Sequence, residues 1–186
     1  AQGLPDLVIA NAGVSIGVDS AMREDLDVLS ETLMLNNVGM AATFHPFING
    51  MKARGSGVLV GIASMAAIRG LPGHGAYCAS KAGVVAYCES LRGELRGTGV
   101  QVSTILPGYI ATPLTSHNTY AMQFLLQQAE LANRAYRAVV ACNSNCVIPW
   151  QMGIVAKIMR LLPNALFDKI FAGKGRKKRK SEIPTP

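Results

Sequence analysis

A chain of 186 residues that is 49% hydrophobic and 16% charged has the length of one domain and enough apolar side chains to build a core. Its body is therefore not disordered, and the lack of any internal period excludes a coiled coil, a collagen or a repeat array. The net charge of +7 would point to an acidic partner, but six of the 18 basic residues lie between Lys174 and Lys180, which leaves residues 1–173 near +2.

The chain opens Ala1-Gln2-Gly3-Leu4-Pro5-Asp6, with no basic stretch ahead of an apolar one, so no secretory leader is expected. Short, continuous apolar runs at Leu7–Ala10, Val58–Ala63 and Val100–Leu106 read as strands covered on both faces. Helical segments separate them. The first spans about 25–54, with Pro46 expected to kink or divide it. The second spans about 77–96, with Val84, Cys88, Leu91 and Leu95 at helical spacing. Alternation of this kind predicts a parallel sheet with helices on its faces. Gly-rich stretches at 13–17, 55–57, 70–75 and 97–99 make the connections. After Pro107 a mostly helical region is expected over about 115–172, with one short strand candidate at Cys146–Pro149.

Cys78 and Cys88 would lie about 15 Å apart along one helix, beyond the roughly 7 Å limit for a disulfide. Cys142 and Cys146 have no second ligand pair, so no metal site is expected. Reduced cysteines point to a cytoplasmic protein.

Tyr77 and Lys81 are four residues apart and return to one face of a helix. An ammonium about 4 Å from a phenol, at an effective dielectric near 20, favours the phenolate by about 4 kcal/mol, nearly three pKa units. That would bring the tyrosine into the range of a general acid/base. Alone, such a pair is an ordinary helix surface pair. Here Ser64 follows one strand, Asn11-Ala12-Gly13 the strand before it, and Pro107-Gly108 the strand after it. All reach the carboxyl edge of the sheet, where open α/β sheets bind ligands.

These motifs occur in the order found in short-chain dehydrogenases/reductases: Asn11-Ala12-Gly13, Asn36-Asn37-Val38-Gly39, Ser64, Tyr77-Cys78-Ala79-Ser80-Lys81 and Pro107-Gly108-Tyr109-Ile110-Ala111-Thr112. The chain resembles that family, in its compact form, over roughly residues 5–172. The resemblance implies a Rossmann-like, doubly wound parallel sheet over residues 1–172. It also implies hydride transfer between NAD or NADP and a carbonyl or alcohol substrate. Tyr77 would be the general acid/base and Ser64 would bond the reacting oxygen. Lys81 would lower the pKa of Tyr77 and hold the nicotinamide ribose, and Asn36 would anchor a proton-relay water. Asn11, Ala12 and Gly13 would wall the cofactor. Pro107, Gly108, Ile110 and Thr112 would meet the nicotinamide, through the Ile110 backbone and the Thr112 hydroxyl. A homo-oligomer built through the helices around Asn36 and Tyr77 is implied as well.

One departure from the family pattern stands at the amino-terminal end. The strand, Gly-rich phosphate turn and helix that open the family domain are missing from this chain; three such steps would come to roughly 70–90 residues. The expectation is a portion of a longer enzyme, and the alternative is a non-catalytic truncated fragment or scaffold that meets a membrane or partner through its C-terminal helix and tail.

Tyr120, Met122, Phe124, Leu125 and Leu126 read either as an apolar lid over a bulky substrate or as helix core. His117 and Asn118 read as polar substrate contacts or as a solvated loop, and His45 and His74 as structural or surface residues. From Trp150 to Phe171 an apolar stripe precedes the basic cluster, a pattern that suits peripheral membrane contact as well as plain packing. Residues 173–186 are expected to form a disordered basic tail. Nucleic-acid binding is not expected, because no aromatics interleave the basic run.

Overall fold

The computed structural model describes residues 3–116, 122–173 and 176–183. Four parallel strands lie in chain order: β1 (Leu7–Ala10), β2 (Gly57–Ile62), β3 (Val100–Pro107) and β4 (Asn145–Ile148). Leu7 pairs with Val58, Gly57 with Val100, and Thr104 with Asn145. The three apolar runs thus form adjacent strands, and the fourth candidate completes the sheet.

Helices α2 (Gly39–Arg54) and α3 (Gly75–Glu94) cover one face. Phe44 and Met51 from α2 and Val84, Cys88 and Leu91 from α3 are buried there against Leu59, Val102 and Leu106. Helix α5 (Gln128–Val140) covers the β3–β4 half of the opposite face, where Ala138 and Val139 meet Ile105 and Ile148. Toward β1 that face opens, and Ile9 is 51% exposed. Two glycines are required by geometry. Gly55 ends α2 in the left-handed region, at φ 72°. A Cβ on Gly61 would stand 2.5 Å from the Cys88 sulfur, so glycine lets α3 lie close on β2.

The segment expected as one helix, kinked or divided at Pro46, is divided elsewhere. Helix α1 (Asp25–Leu33) passes into a π-helical turn, Met34–Val38, before α2 begins. Pro46 lies inside α2 without ending it. An interior proline costs about 3 kcal/mol, and burying Met40, Phe44 and Met51 around it returns roughly 1.5–3 kcal/mol per side chain.

After the short helix α4 (Pro113–Ser116), residues 122–127 ahead of α5 are not helical: Leu126 forms an isolated parallel bridge with Ile110 and is buried, while Phe124 and Leu125 are exposed. Tyr120, His117 and Asn118 lie outside the described residues. Helices α6 (Trp150–Leu161) and α7 (Asn164–Phe171) complete the C-terminal part. Arg69 holds their junction, donating to the carbonyls of Met159 and Leu162 and to Asn164 Oδ1, with its guanidinium 4.1 Å from the Phe167 ring centroid. Residues 176–183, expected as disordered tail, instead lie against the body of the domain. Basic side chains there meet acidic ones on α1 and on Glu24 just before it.

Candidate active site

The parallel order brings the carboxyl ends of β1, β2 and β3 to one edge, and the predicted residues arrive there on separate elements. Asn11, Ala12 and Gly13 follow β1 and are exposed. Ser64 follows β2 and caps a 3₁₀ turn, Met65–Ala67, its hydroxyl accepting from the Ala66 N–H at 3.2 Å. Tyr77 and Lys81 lie on the first two turns of α3. Pro107 ends β3, and the Gly108 N–H donates to the Ile148 carbonyl at 2.8 Å.

Asn36 sits in the π-helical turn and is 2% exposed. The Val14 N–H donates to its Oδ1 at 2.9 Å, and its Nδ2 donates to the Val14 carbonyl at 3.0 Å and to the Ser80 hydroxyl at 2.9 Å. The Ser80 hydroxyl in turn donates to the Tyr77 carbonyl at 2.8 Å. A π turn widens the helix locally and is a recurrent device where a side chain must be aimed. Here it aims an amide that joins the turn after β1 to the start of α3. A Cβ on residue 13 would stand 3.1 Å from Asn36 Oδ1 and 3.5 Å from Lys81 Nζ. Gly13 keeps the space between those polar groups open.

The charge balance around Tyr77 departs from the simple pair estimate. Burial pushes the phenol up from its ordinary value, and only the hydrogen bond with the Ser64 side chain pulls it down. Lys81 is buried, and desolvation lowers its amine to about 8. Its Nζ donates to the Ile62 carbonyl at 2.8 Å and lies 5.8 Å from the centre of the Tyr77 ring. The ammonium thus faces the ring and a strand carbonyl, and burial is the largest influence on the phenol.

Ile110 is buried, and its carbonyl accepts from the Thr115 hydroxyl, while the Thr112 N–H donates to Thr115 Oγ1 at 3.1 Å. Sequence reasoning missed Thr115, as it missed Ser80. For Ser80 a signal existed: it precedes Lys81 and lies three residues after Tyr77, on the neighbouring helix face.

Parallel β/α units with helices on both faces and polar groups gathered at the carboxyl edge define a Rossmann-like α/β protein. Residues 3–123 match the family model described as short chain dehydrogenase. The chain belongs to the short-chain dehydrogenase/reductase family of oxidoreductases. It is 40% identical over 163 residues to an uncharacterized oxidoreductase of Myxococcus xanthus, covering 88% of this chain and 64% of that protein. It is 30% identical over 168 residues to human short-chain dehydrogenase/reductase 3, covering 88% of this chain and 55% of the human one. The chain therefore spans less than two thirds of the length of either relative. Its fold is similar to that of a short chain dehydrogenase from Burkholderia cenocepacia, solved in complex with NADP. The TM-score is 0.77 at 22% identity, over 89% of this chain and 68% of that one.

Proposed function

We propose that this chain carries the proton-transfer side of an NAD- or NADP-dependent oxidoreductase that interconverts a carbonyl and an alcohol. The observation that carries the reading is the junction of Asn36, Ser80, Tyr77, Lys81 and Ser64 at the carboxyl edge of the sheet. The residues fit a nicotinamide ribose: the buried Lys81 ammonium has three protons, and the bond to Ile62 uses one. Asn11, Ala12 and Gly13 would wall the cofactor, and Pro107, Gly108, Ile110 and Thr112 would meet its nicotinamide end. When bound, that cofactor gives or takes the hydride.

Tyr77, whose phenol stays protonated at neutral pH, donates that proton to the substrate oxygen as the carbonyl becomes an alkoxide. In the oxidative direction it takes the proton back. The Ser64 hydroxyl gives the same oxygen a second hydrogen bond. Lys81 and Asn36 flank the space kept open by Gly13, which suits a proton relay that resupplies Tyr77. Lys81, at about 8, is matched to exchanging protons near neutral pH. In the whole protein, Tyr77→Phe is expected to lower turnover at least about 10²-fold with the melting temperature nearly unchanged. Unchanged turnover would remove Tyr77 from the mechanism.

The partners follow from the surface. Leu26, Met34, Leu35, Val38 and Tyr87 are exposed on α1, the π turn and α3, which supports a homo-oligomer built on that face. Among the described residues no helix is long and apolar enough to cross a membrane. A cytoplasmic protein with peripheral membrane contact rests on α6, where Trp150, Ile154, Ile158 and Leu161 are exposed beside Lys157 and Arg160. Flotation with vesicles containing phosphatidylserine checks it. Recovery in the vesicle layer that is lost in Ile158→Glu supports the contact, and failure to float removes it.

A further inference from the structure

The basic cluster is the sequence feature that the oxidoreductase reading leaves unused, and the structure gives it partners within the chain. Arg179 meets Asp25 in a bidentate pair, Nε donating to Oδ2 at 2.6 Å and Nη2 to Oδ1 at 3.2 Å. Both side chains are withdrawn from solvent, 12% exposed for Arg179 and 4% for Asp25. Arg179 Nη2 also donates to Glu24 at 2.8 Å, and the Asp19 N–H donates to Asp25 Oδ2 at 2.7 Å. These bonds hold the Asp25 carboxyl below the usual carboxylate range. On either side, Lys180 pairs with Glu31 at 2.9 Å and Lys177 Nζ donates to the Ser15 hydroxyl at 2.8 Å.

The main chain takes part too. The Gly17 N–H donates to the Lys178 carbonyl at 3.0 Å, and Gly17 and Arg179 form a parallel bridge. A Cβ on Gly17 would stand 2.1 Å from the Lys177 carbonyl oxygen, so this crossing needs glycine. Arg176 lies over Gly73, where a Cβ would be 2.5 Å from the arginine Cβ.

Arg179 and Lys180 anchor on α1 and the residue before it, while the main-chain contacts and the Lys177 bond fall on two stretches that border the site. One is the turn from Gly13 to Asp19, whose Val14 clasps Asn36 from both sides of its peptide. The other is the loop joining Ser64 to Tyr77, whose Gly73 carbonyl accepts from the Val18 N–H at 3.1 Å. Docking of these cations on an anionic surface would require them free. Arg176, Arg179 and Lys180 already face Glu182, Asp25 with Glu24, and Glu31.

We propose that Arg179 is a positioning residue for the carbonyl–alcohol reaction: clamped on Asp25, it holds residues 176–183 as a strap across the Gly13–Asp19 turn and so fixes Asn36 against the Tyr77–Lys81 helix. The inference rests on the proposed function of that site. Asp25 explains why the strap stays. A carboxylate buried at the start of α1 needs a paired cation, and the guanidinium fork supplies two parallel bonds.

The test uses the whole protein with Arg179→Ala, Arg179→Lys and the exchanged pair Arg179→Asp with Asp25→Arg. Lys178→Ala removes an exposed charge of the same cluster and serves as the control. Amide hydrogen exchange and steady-state kinetics with NADPH and NADH and a panel of aldehydes and ketones are read together. Arg179→Ala is expected to speed exchange at Gly17 and Val18 at least 10-fold beyond any change in global stability. It should also lower kcat 3- to 10-fold while KM moves less than twofold. Arg179→Lys and the exchanged pair should recover part of both effects, and Lys178→Ala should change neither. Unchanged exchange at Gly17 and Val18 overturns the strap. Faster exchange with unchanged kcat overturns the positioning role. Absence of turnover in the unaltered protein overturns the oxidoreductase reading and the positioning role with it, while exchange still tells whether the strap holds the turn. Should Arg179→Ala fail to fold, Arg179→Gln carries the same measurements.

Discussion

Asn36 and Arg179 fasten the same turn, Gly13–Asp19, from opposite sides and by different physics. Asn36 works from within as a neutral amide, both its protons and its oxygen bonded to Val14 and Ser80. Burial costs such a group little once every polar atom has a partner, and its bonds do not depend on salt or pH. Arg179 works from outside through charge, on a carboxylate brought from a residue 154 positions earlier in the chain. That bond is stronger per contact, but it holds only while both partners stay ionised. The inner fastening ties the turn to Ser80 on α3. The outer one sets how still the turn is.

Breaking the inner fastening should have the larger effect. Asn36→Ala leaves the Val14 N–H, the Val14 carbonyl and the Ser80 hydroxyl short of a partner in a buried place. At about 1–3 kcal/mol for each stranded group, part of it recovered by rearrangement, a loss of roughly 2–5 kcal/mol is expected in chemical denaturation. A loss below about 1 kcal/mol would mean that the π turn stands without its amide.

Lys81 sharpens the contrast, because it is a buried charge and burial lowers its amine. Its folded value of about 8 lies below the ordinary 10.5, so between those values the unfolded chain binds more protons than the folded one. The penalty for keeping the ammonium buried is complete below pH 8 and is relieved as pH rises toward 10.5. Lys81→Met should therefore be more stable than the parent at pH 7, by roughly 2–4 kcal/mol, while losing turnover. The gap should narrow across pH 8–10.5. A gap that does not change with pH would show that folding does not lower the Lys81 amine.

Much of the inner region was legible in the sequence, for physical reasons that are local. β2 and β3 announce themselves as apolar runs because they are covered on both faces, β1 does so although Ile9 is exposed, and α3 does so through Val84, Cys88, Leu91 and, at its end, Leu95, all buried. The sheet edge that gathers Ser64, Tyr77 and Lys81 follows from the parallel order alone. The π turn was not legible, since one extra residue in a helical turn leaves the apolar spacing nearly unaltered, whereas Pro46 carries an obvious helix-breaking signal that packing overrides. Nor was the strap. A basic cluster reads as solvated tail unless the acids that meet it are known, and Glu24, Asp25 and Glu31 look from sequence like the ordinary polar face of α1. The amine on Ile62 was missed for a related reason: helical spacing gives the distance between two side chains, and not the direction in which the longer one turns.

The smallest effect belongs to the rim of the strap and separates it from the clamp. Lys180 and Glu31 are both more than half exposed, so solvent and salt weaken their pair. Lys180→Ala is expected to cost less than about 1 kcal/mol at low salt, and the difference from the parent should vanish toward 1 M sodium chloride. The Arg179–Asp25 pair, out of reach of the ions, should keep most of its effect at the same salt. Equal salt sensitivity of the two would mean that the strap is held by the general attraction between a basic segment and an acidic helix. Unequal sensitivity is what a single buried clamp with an exposed rim requires, because screening acts only on the charges that solvent reaches.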